Sequence, residues 1–336
     1  MRPGNIHRRA YAVAGAFILF ALSSPLMAQS PHTDIITSLT DASKRLNWSY
    51  RKDVREVYFL FSASVHGKFV VNLTADDINV LDDGSAPEEI LAFHGQEDLP
   101  LRMGLLIDTS PSVNSRFGFE KSAAQAFLTD VVRSRRDEVF VMGFSDFPEP
   151  KQIFTNDREQ LAQSVSTLVD HGDSTTLFDA VVDGCRKLRN HPENQFVART
   201  LVVVSDGEDN SSRATLQQAT LAAQDADVTI YAISTRTPWH NGSSGGGDRT
   251  LKSLAEETGG RALFPGSPRK FQSAFTRVAD ELHSRYAISY RPAHFVLDGS
   301  YRRIQISARK SGRRLTFYGR KGYYASVHPD DIALEN

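Results

Sequence analysis

The chain is nearly free of cysteine, with one residue, Cys185, in 336. That excludes an internal disulfide framework, so stability has to come from a packed core. Cys185 falls within a helical pattern and reads as a small buried hydrophobe. An excess of charge of one sign is also missing. Lys and Arg number 39 against 40 Asp and Glu, a formal net charge of −1. This gives no electrostatic reason to expect nucleic acid or an acidic membrane surface. Basic residues do gather near the C-terminus (Arg302, Arg303, Arg309, Lys310, Arg313, Arg314, Arg320, Lys321). They mostly alternate with apolar residues and read as the solvated face of a strand, with a binding patch as the alternative. The ten histidines are scattered without ligand spacing, and there is no internal repeat or long low-complexity tract.

The N-terminus carries the pattern of a targeting segment. Arg2, His7, Arg8 and Arg9 precede an apolar stretch over residues 10–22, and "SPLMAQS" offers a cleavage point after Ala28. That order reads as a secretory signal over residues 1–28. The expected location is therefore secreted, periplasmic or in the cell envelope. Leu26 at the minus-three position is larger than ideal, which leaves an uncleaved anchor as the alternative. The apolar stretch is shorter than the ~20 residues of a comfortable span. No cysteine lies at the cleavage region, so a lipoprotein signal is excluded.

Between residues 101 and 285 short apolar runs alternate with amphipathic stretches. "RMGLLID", "DEVFVMGFS", "RTLVVVSDG" and "VTIYAIST" read as strands covered on both faces. Helical patterns occupy residues 116–133, 177–188, 214–226, 249–258 and 269–284. Alternation over this length argues a doubly wound, mainly parallel α/β sheet. The flanks are strand-rich without a useful helix: "VREVYFLFSASV", "INVLDDG" and "EEILAFHG" before, "YAISYRP", "YRRIQISARK" and "LTFYGRKGYYA" after. Two or three strands need a partner surface. The economical arrangement is one β-sandwich-like unit built from residues 54–100 and 286–325, with the α/β domain (101–285) inserted between. The alternative is that the flanks extend the edges of the main sheet. Residues 29–53 read as a mobile lead-in and 326–336 as a tail.

Ligands of open parallel sheets bind outside the carboxyl ends of the strands, and three polar clusters fall there. Asp108, Ser110 and Ser112 follow the first strand, "GDSTTLFDA" (172–180) opens a helix with Thr175, and "VVVSDGEDN" (202–210) ends a strand with Asp206. Each Ser or Thr alone is an ordinary turn or cap residue. Two carboxylates with several hydroxyls, and no His or Cys, are hard oxygen ligands suited to Mg²⁺, Mn²⁺ or Ca²⁺.

D-x-S-x-S, a later T-x-L-x-D-A and an apolar strand ending in S-D-G together resemble the von Willebrand factor type A (vWA) domain. The resemblance implies that Asp108, Ser110, Ser112, Thr175 and Asp206 form a metal-ion-dependent adhesion site. Pro111 stands where Gly is frequent in that family and should only stiffen the loop. The flanks, "NLTADDINVLDDG" and "ISYRP…YRRIQISARK…RKGYYA", are similar to a group of exported bacterial vWA proteins abundant in acidobacteria, which implies location and architecture but no defined reaction. The expected partner is a protein offering an Asp or Glu carboxylate to the metal. Nucleic acid is not expected, and membrane contact only through an uncleaved N-terminal segment.

No catalytic residue is assigned. "GSSGG" (242–246) lies in a glycine-rich loop rather than a strand–turn–helix elbow. "SPRK" (267–270) reads as a helix start, and no general base stands beside the oxygen cluster. Asp179 and Glu208 are either supporting groups or plain surface carboxylates. The leading expectation is an exported, non-enzymatic binding protein. The alternatives are a metal-assisted hydrolase using the same ion and an envelope scaffold with a structural metal.

Overall fold

The computed structural model describes residues 56–111, 117–236, 245–296, 298–310 and 313–325. The expected signal segment, lead-in and tail, Ser112, and most of the "GSSGG" loop lie outside the described residues. The N-terminal flank supplies β1 (Val57–Val65), β2 (Lys68–Phe69), β3 (Ile78–Asp82) and β4 (Glu89–His94). The central region follows as β5 (Leu101–Asp108), α1 (Phe117–Val131), β6 (Glu138–Phe144), β7 (Pro148–Thr155), α2 (Arg158–Ser166) and α3 (Leu177–Arg189). It continues with β8 (Ala198–Ser205), α4 (Leu216–Asp225), β9 (Thr229–Ser234), α5 (Gly246–Glu257), β10 (Ala262–Leu263) and α6 (Phe271–Leu282). The C-terminal flank adds β11 (Arg285–Arg291), β12 (Tyr301–Lys310), β13 (Arg313–Arg314), β14 (Thr316–Gly319) and β15 (Gly322–Tyr324).

The central sheet has the order β10-β9-β8-β5-β6-β7, parallel except for β7. The middles of β5, β6, β8 and β9 are apolar on both faces because both faces are covered. Met103, Leu105, Ile107, Val202 and Val204 point into one core with α1 and α6, while Leu106, Leu201 and Val203 point into the other with α3, α4 and α5. Period-two side-chain alternation thus feeds two cores at once. Pro148 and Pro150 lie on the exposed edge strand β7, where a missing N–H is tolerated and further strand addition is blocked.

The flanks pair with each other. One sheet has the order β14-β1-β11-β4, with β2 also on β1; the other is β13-β12-β15, with β3 on β12. Phe59, Phe61, Ile288 and Tyr290 of the first pack against Val80, Ile304 and Ala308 of the second. Across this sandwich runs a buried polar link. The Asp82 carboxylate, 1 % exposed, accepts from Tyr290 Oη (2.9 Å), Tyr323 Oη (2.8 Å) and Arg302 Nε (2.7 Å).

The first sheet turns its other face to the α/β domain, with Leu60 and Ala287 joining the core of α1 and α6. Only His283 and Ser284 separate α6 from β11. Ser62 Oγ donates to buried Glu281 (3.2 Å), and Arg285 donates to Thr200 Oγ1 (2.7 Å). Tyr58 Oη reaches the Val197 carbonyl at 3.2 Å. The contacts at Val197 and Thr200 lie at the amino end of β8, so the sandwich sits away from the carboxyl ends of the parallel strands.

Candidate metal centre

Strand β5 has β6 on one side and β8 on the other, so the strand order reverses at β5 and opens a crevice at its carboxyl end. Asp108 closes β5 there and is fully buried. Its Oδ1 accepts the Ser110 N–H at 3.0 Å, and its Oδ2 accepts the Ser205 hydroxyl at 2.7 Å. Burial pushes the Asp108 carboxyl up to about 6, against the pull of the Ser110 and Ser205 hydrogen bonds, and the charge of Asp206 adds to the rise. The parallel register of β5 and β8, with Ile107 opposite Val204, brings Ser205 and the Asp206 loop to the same strand ends as Asp108. Ser110 is buried beside them, whereas Ser112 lies outside the described residues.

Two loops are stitched together beneath Thr175. Its N–H donates to Asn210 Oδ1 (2.8 Å), and its carbonyl accepts the N–H of Asn210 (3.1 Å) and of Ser211 (3.2 Å). Thr176 precedes α3 but does not cap it with its side chain; its hydroxyl donates to the Ser145 carbonyl at 2.9 Å. The cap comes from elsewhere. Asp209 Oδ2 accepts from Phe178 N–H (3.0 Å), and Ser212 Oγ accepts from Asp179 N–H (3.1 Å). In return the Asp179 carboxylate accepts from Arg213 N–H (3.1 Å) and Ala214 N–H (2.9 Å). Asp179 is thus a loop staple, while Glu208 is exposed and 3.7 Å from Arg236. Asp146 anchors the approach to Thr175: its Oδ1 accepts the Ser174 hydroxyl (2.6 Å) and the Asp173 N–H (3.0 Å). These bonds, that of Ser174 first, hold its carboxyl below the usual range.

Asp206 follows β8 and accepts the Glu208 N–H at 3.0 Å. Its loop lies hard against the start of α5. Gly207 has φ +81°, and a Cβ there would meet the Gly247 carbonyl oxygen at 2.2 Å. A Cβ on Gly247 would meet the Asp206 carbonyl oxygen at the same 2.2 Å. Glycine is required at both positions by this close backbone approach.

Do these residues fit a divalent cation? Neither Asp108 nor Asp206 makes an ion pair with a described residue, and hydroxyls and amides are their partners. A buried carboxylate beside a second one is penalised until a positive charge joins them. Hard oxygens with two negative charges suit Mg²⁺, Mn²⁺ or Ca²⁺. The donor set fits.

The family model for the von Willebrand factor type A domain matches residues 103–277. The chain belongs to the vWA family. All five expected ligand positions fall inside that match, and the flanking strands fall outside it. No curated protein matches the chain. Among solved structures, a von Willebrand factor type A protein from Catenulispora acidiphila is similar at 12 % identity and TM-score 0.47, covering 83 % of this chain and 75 % of that one. The vWF domain of the type V pili tip protein Mfa5 from Porphyromonas gingivalis gives 12 % and 0.44, covering 54 % and 94 %. Proximal thread matrix protein 1 from the mussel byssus, with a zinc-occupied MIDAS motif, gives 16 % and 0.46, covering 55 % and 48 %. Sequence reasoning on the vWA motif missed Ser205, whose hydroxyl donates to Asp108 Oδ2, although it is the serine of the S-D-G already in view. Asn210 and Asp209 carried no signal, because their role is to hold Thr175 and α3.

Proposed function

We propose that this vWA protein is an exported, non-enzymatic binding protein of the adhesion type. It recognises a protein partner through a divalent cation held by Asp108, Ser110, Ser112, Thr175 and Asp206. The observation that carries the reading is the buried Asp108 carboxylate, next to the charge of Asp206 and surrounded by neutral donors. A bound cation supplies one open position for an oxygen from outside, which a partner's Asp or Glu fits best. Asp108 and Asp206 neutralise charge, Ser110 and Thr175 add uncharged oxygens, and Ser205 orients Asp108.

The nearby carboxylates of Asp146, Asp179 and Asp209 are each engaged by backbone N–H groups or hydroxyls as loop anchors. This favours binding over proton transfer. The secretory pattern of residues 1–28 supports an envelope or extracellular setting. Titration calorimetry with Mg²⁺, Mn²⁺ and Ca²⁺ tests the site: the wild type should bind at least one ion and Asp108→Ala should not. Equal binding by both proteins removes the site. Partner capture that is lost with chelator, without turnover, completes the test.

A further inference from the structure

From residue 299 to 325 the sequence holds eight Arg and Lys and no Asp or Glu. Three of the eight are occupied within the fold. Arg302 pairs with Asp82 (2.6 Å), Arg320 with Asp227 (2.8 Å), and Lys310 Nζ donates to the Asn72 carbonyl (2.5 Å). Arg303, Arg313, Arg314 and Lys321 are exposed and make no ion pair with any described residue. Residues directly opposite in an antiparallel pair share a face. With Ile304 and Ala308 turned into the core, the outward row of β12 is Tyr301, Arg303, Gln305 and Ser307. Their register partners are Tyr324, Gly322, Leu81 and Asn79. Arg309 and Arg314 are register partners at the far end. That row contains no carboxylate of its own; beside it Tyr301, Tyr324 and Lys321 line a cleft with Glu256 and Glu257 of α5. At its near end Tyr301 and Tyr324 stand about half exposed, at 48 % and 49 %, with ring centroids 5.2 Å apart. Val296, 60 % exposed, lies in the connection that the Gly299 N–H ties to the Ala325 carbonyl (2.8 Å).

We propose that the outer face of the β3-β12-β13-β15 sheet docks flat on an anionic lipid bilayer, independently of the N-terminal segment. Three features favour a bilayer. The guanidinium fork matches phosphate oxygens in two-point contacts. Tyrosine settles at the headgroup level, with its ring in the apolar layer and its hydroxyl wet. A few strands side by side offer a broad surface to a planar array of charge, and Arg303 and Arg314, exposed and left unpaired within the fold, are available to it.

Each cation near an anionic leaflet contributes about 1 kcal/mol, or roughly a factor of 5 in partitioning. The test is co-sedimentation of the full chain with phosphatidylglycerol-containing vesicles and with pure phosphatidylcholine vesicles. The double variant Arg303→Gln/Arg314→Gln is run beside the wild type. Both side chains are exposed, so folding is retained, and residues 10–22 contribute equally to both proteins. The wild type should prefer the anionic vesicles, and the variant should lose roughly 30-fold of that partitioning with no change on phosphatidylcholine. No anionic preference in the wild type, or an unchanged preference in the variant, overturns the proposal. So does capture of polygalacturonate by the same arginines without vesicle binding, which assigns the face to an acidic polysaccharide.

Discussion

Gly247→Ala sets two effects against each other with opposite signs. Gly247 is the second residue of α5, and replacing glycine by alanine in a helix ordinarily stabilises by up to about 1 kcal/mol. Here the new methyl would sit 2.2 Å from the Asp206 carbonyl oxygen and 3.0 Å from the Gly207 carbonyl carbon. The first distance is more than roughly 1 Å short of ordinary contact. Both atoms are backbone, so no side chain can swing away. Overpacking of this kind costs about 1–3 kcal/mol, which exceeds the helical gain. The neighbouring Gly246→Ala is the control. Among the described residues its methyl would meet only Glu208 Oε1, at 3.9 Å, so it should be neutral or slightly stabilising. Urea unfolding of the two variants should therefore separate them by roughly 2 kcal/mol, with Gly247→Ala the weaker. Because the displaced backbone carries Asp206, Mn²⁺ affinity should fall in Gly247→Ala and hold in Gly246→Ala. If Gly247→Ala is as stable as its neighbour and titrates Mn²⁺ like the wild type, the close approach does not position Asp206.

Two further outcomes follow from buried groups. Asp82→Ala strands Arg302 and the hydroxyls of Tyr290 and Tyr323 in the sandwich core, and should destabilise by about 3–5 kcal/mol in denaturant unfolding; a loss under about 1 kcal/mol would mean water satisfies these groups. Burial pushes the Cys185 thiol well up, so Ellman's reagent at pH 8 should leave it untouched until denaturant is added, and full reaction of the folded protein would show that α3 opens readily.

The α/β layer was legible because its inner strands carry continuous apolar runs and most of its helices repeat at helical spacing. Two elements on the β6 side were not. Strand β7 reads "PEPKQIFT", whose prolines argue against a strand until it is placed at an edge and antiparallel. Helix α2 buries only Leu161, Ser164 and Val165, too thin a stripe to stand out, and its start rests on Asp157 accepting the N–H groups of Glu159 and Gln160. At the candidate site Asp108, Thr175 and Asp206 announced themselves by following apolar strands or opening a helix. Ser205 did not, since a serine closing a strand looks like any other strand end. The staples Asp146, Asp179, Asp209 and Asn210 act through backbone groups 27 to 35 residues away in the chain, and no local pattern encodes such a reach.

The pairing of β1 has a mechanical consequence. Its residues 57–62 are hydrogen-bonded along β11, and residues 61–64 along β14. The chain therefore closes on itself across the sandwich before and after the long excursion through the α/β domain. Tension applied between residue 56 and residue 325 is carried through the ladders of β1, with β11 and β14 sheared lengthwise against it. The loops around Asp108 and Asp206 lie off that load path. They keep their geometry under pull for as long as the sandwich holds, so grip and strain are borne by different parts of one molecule.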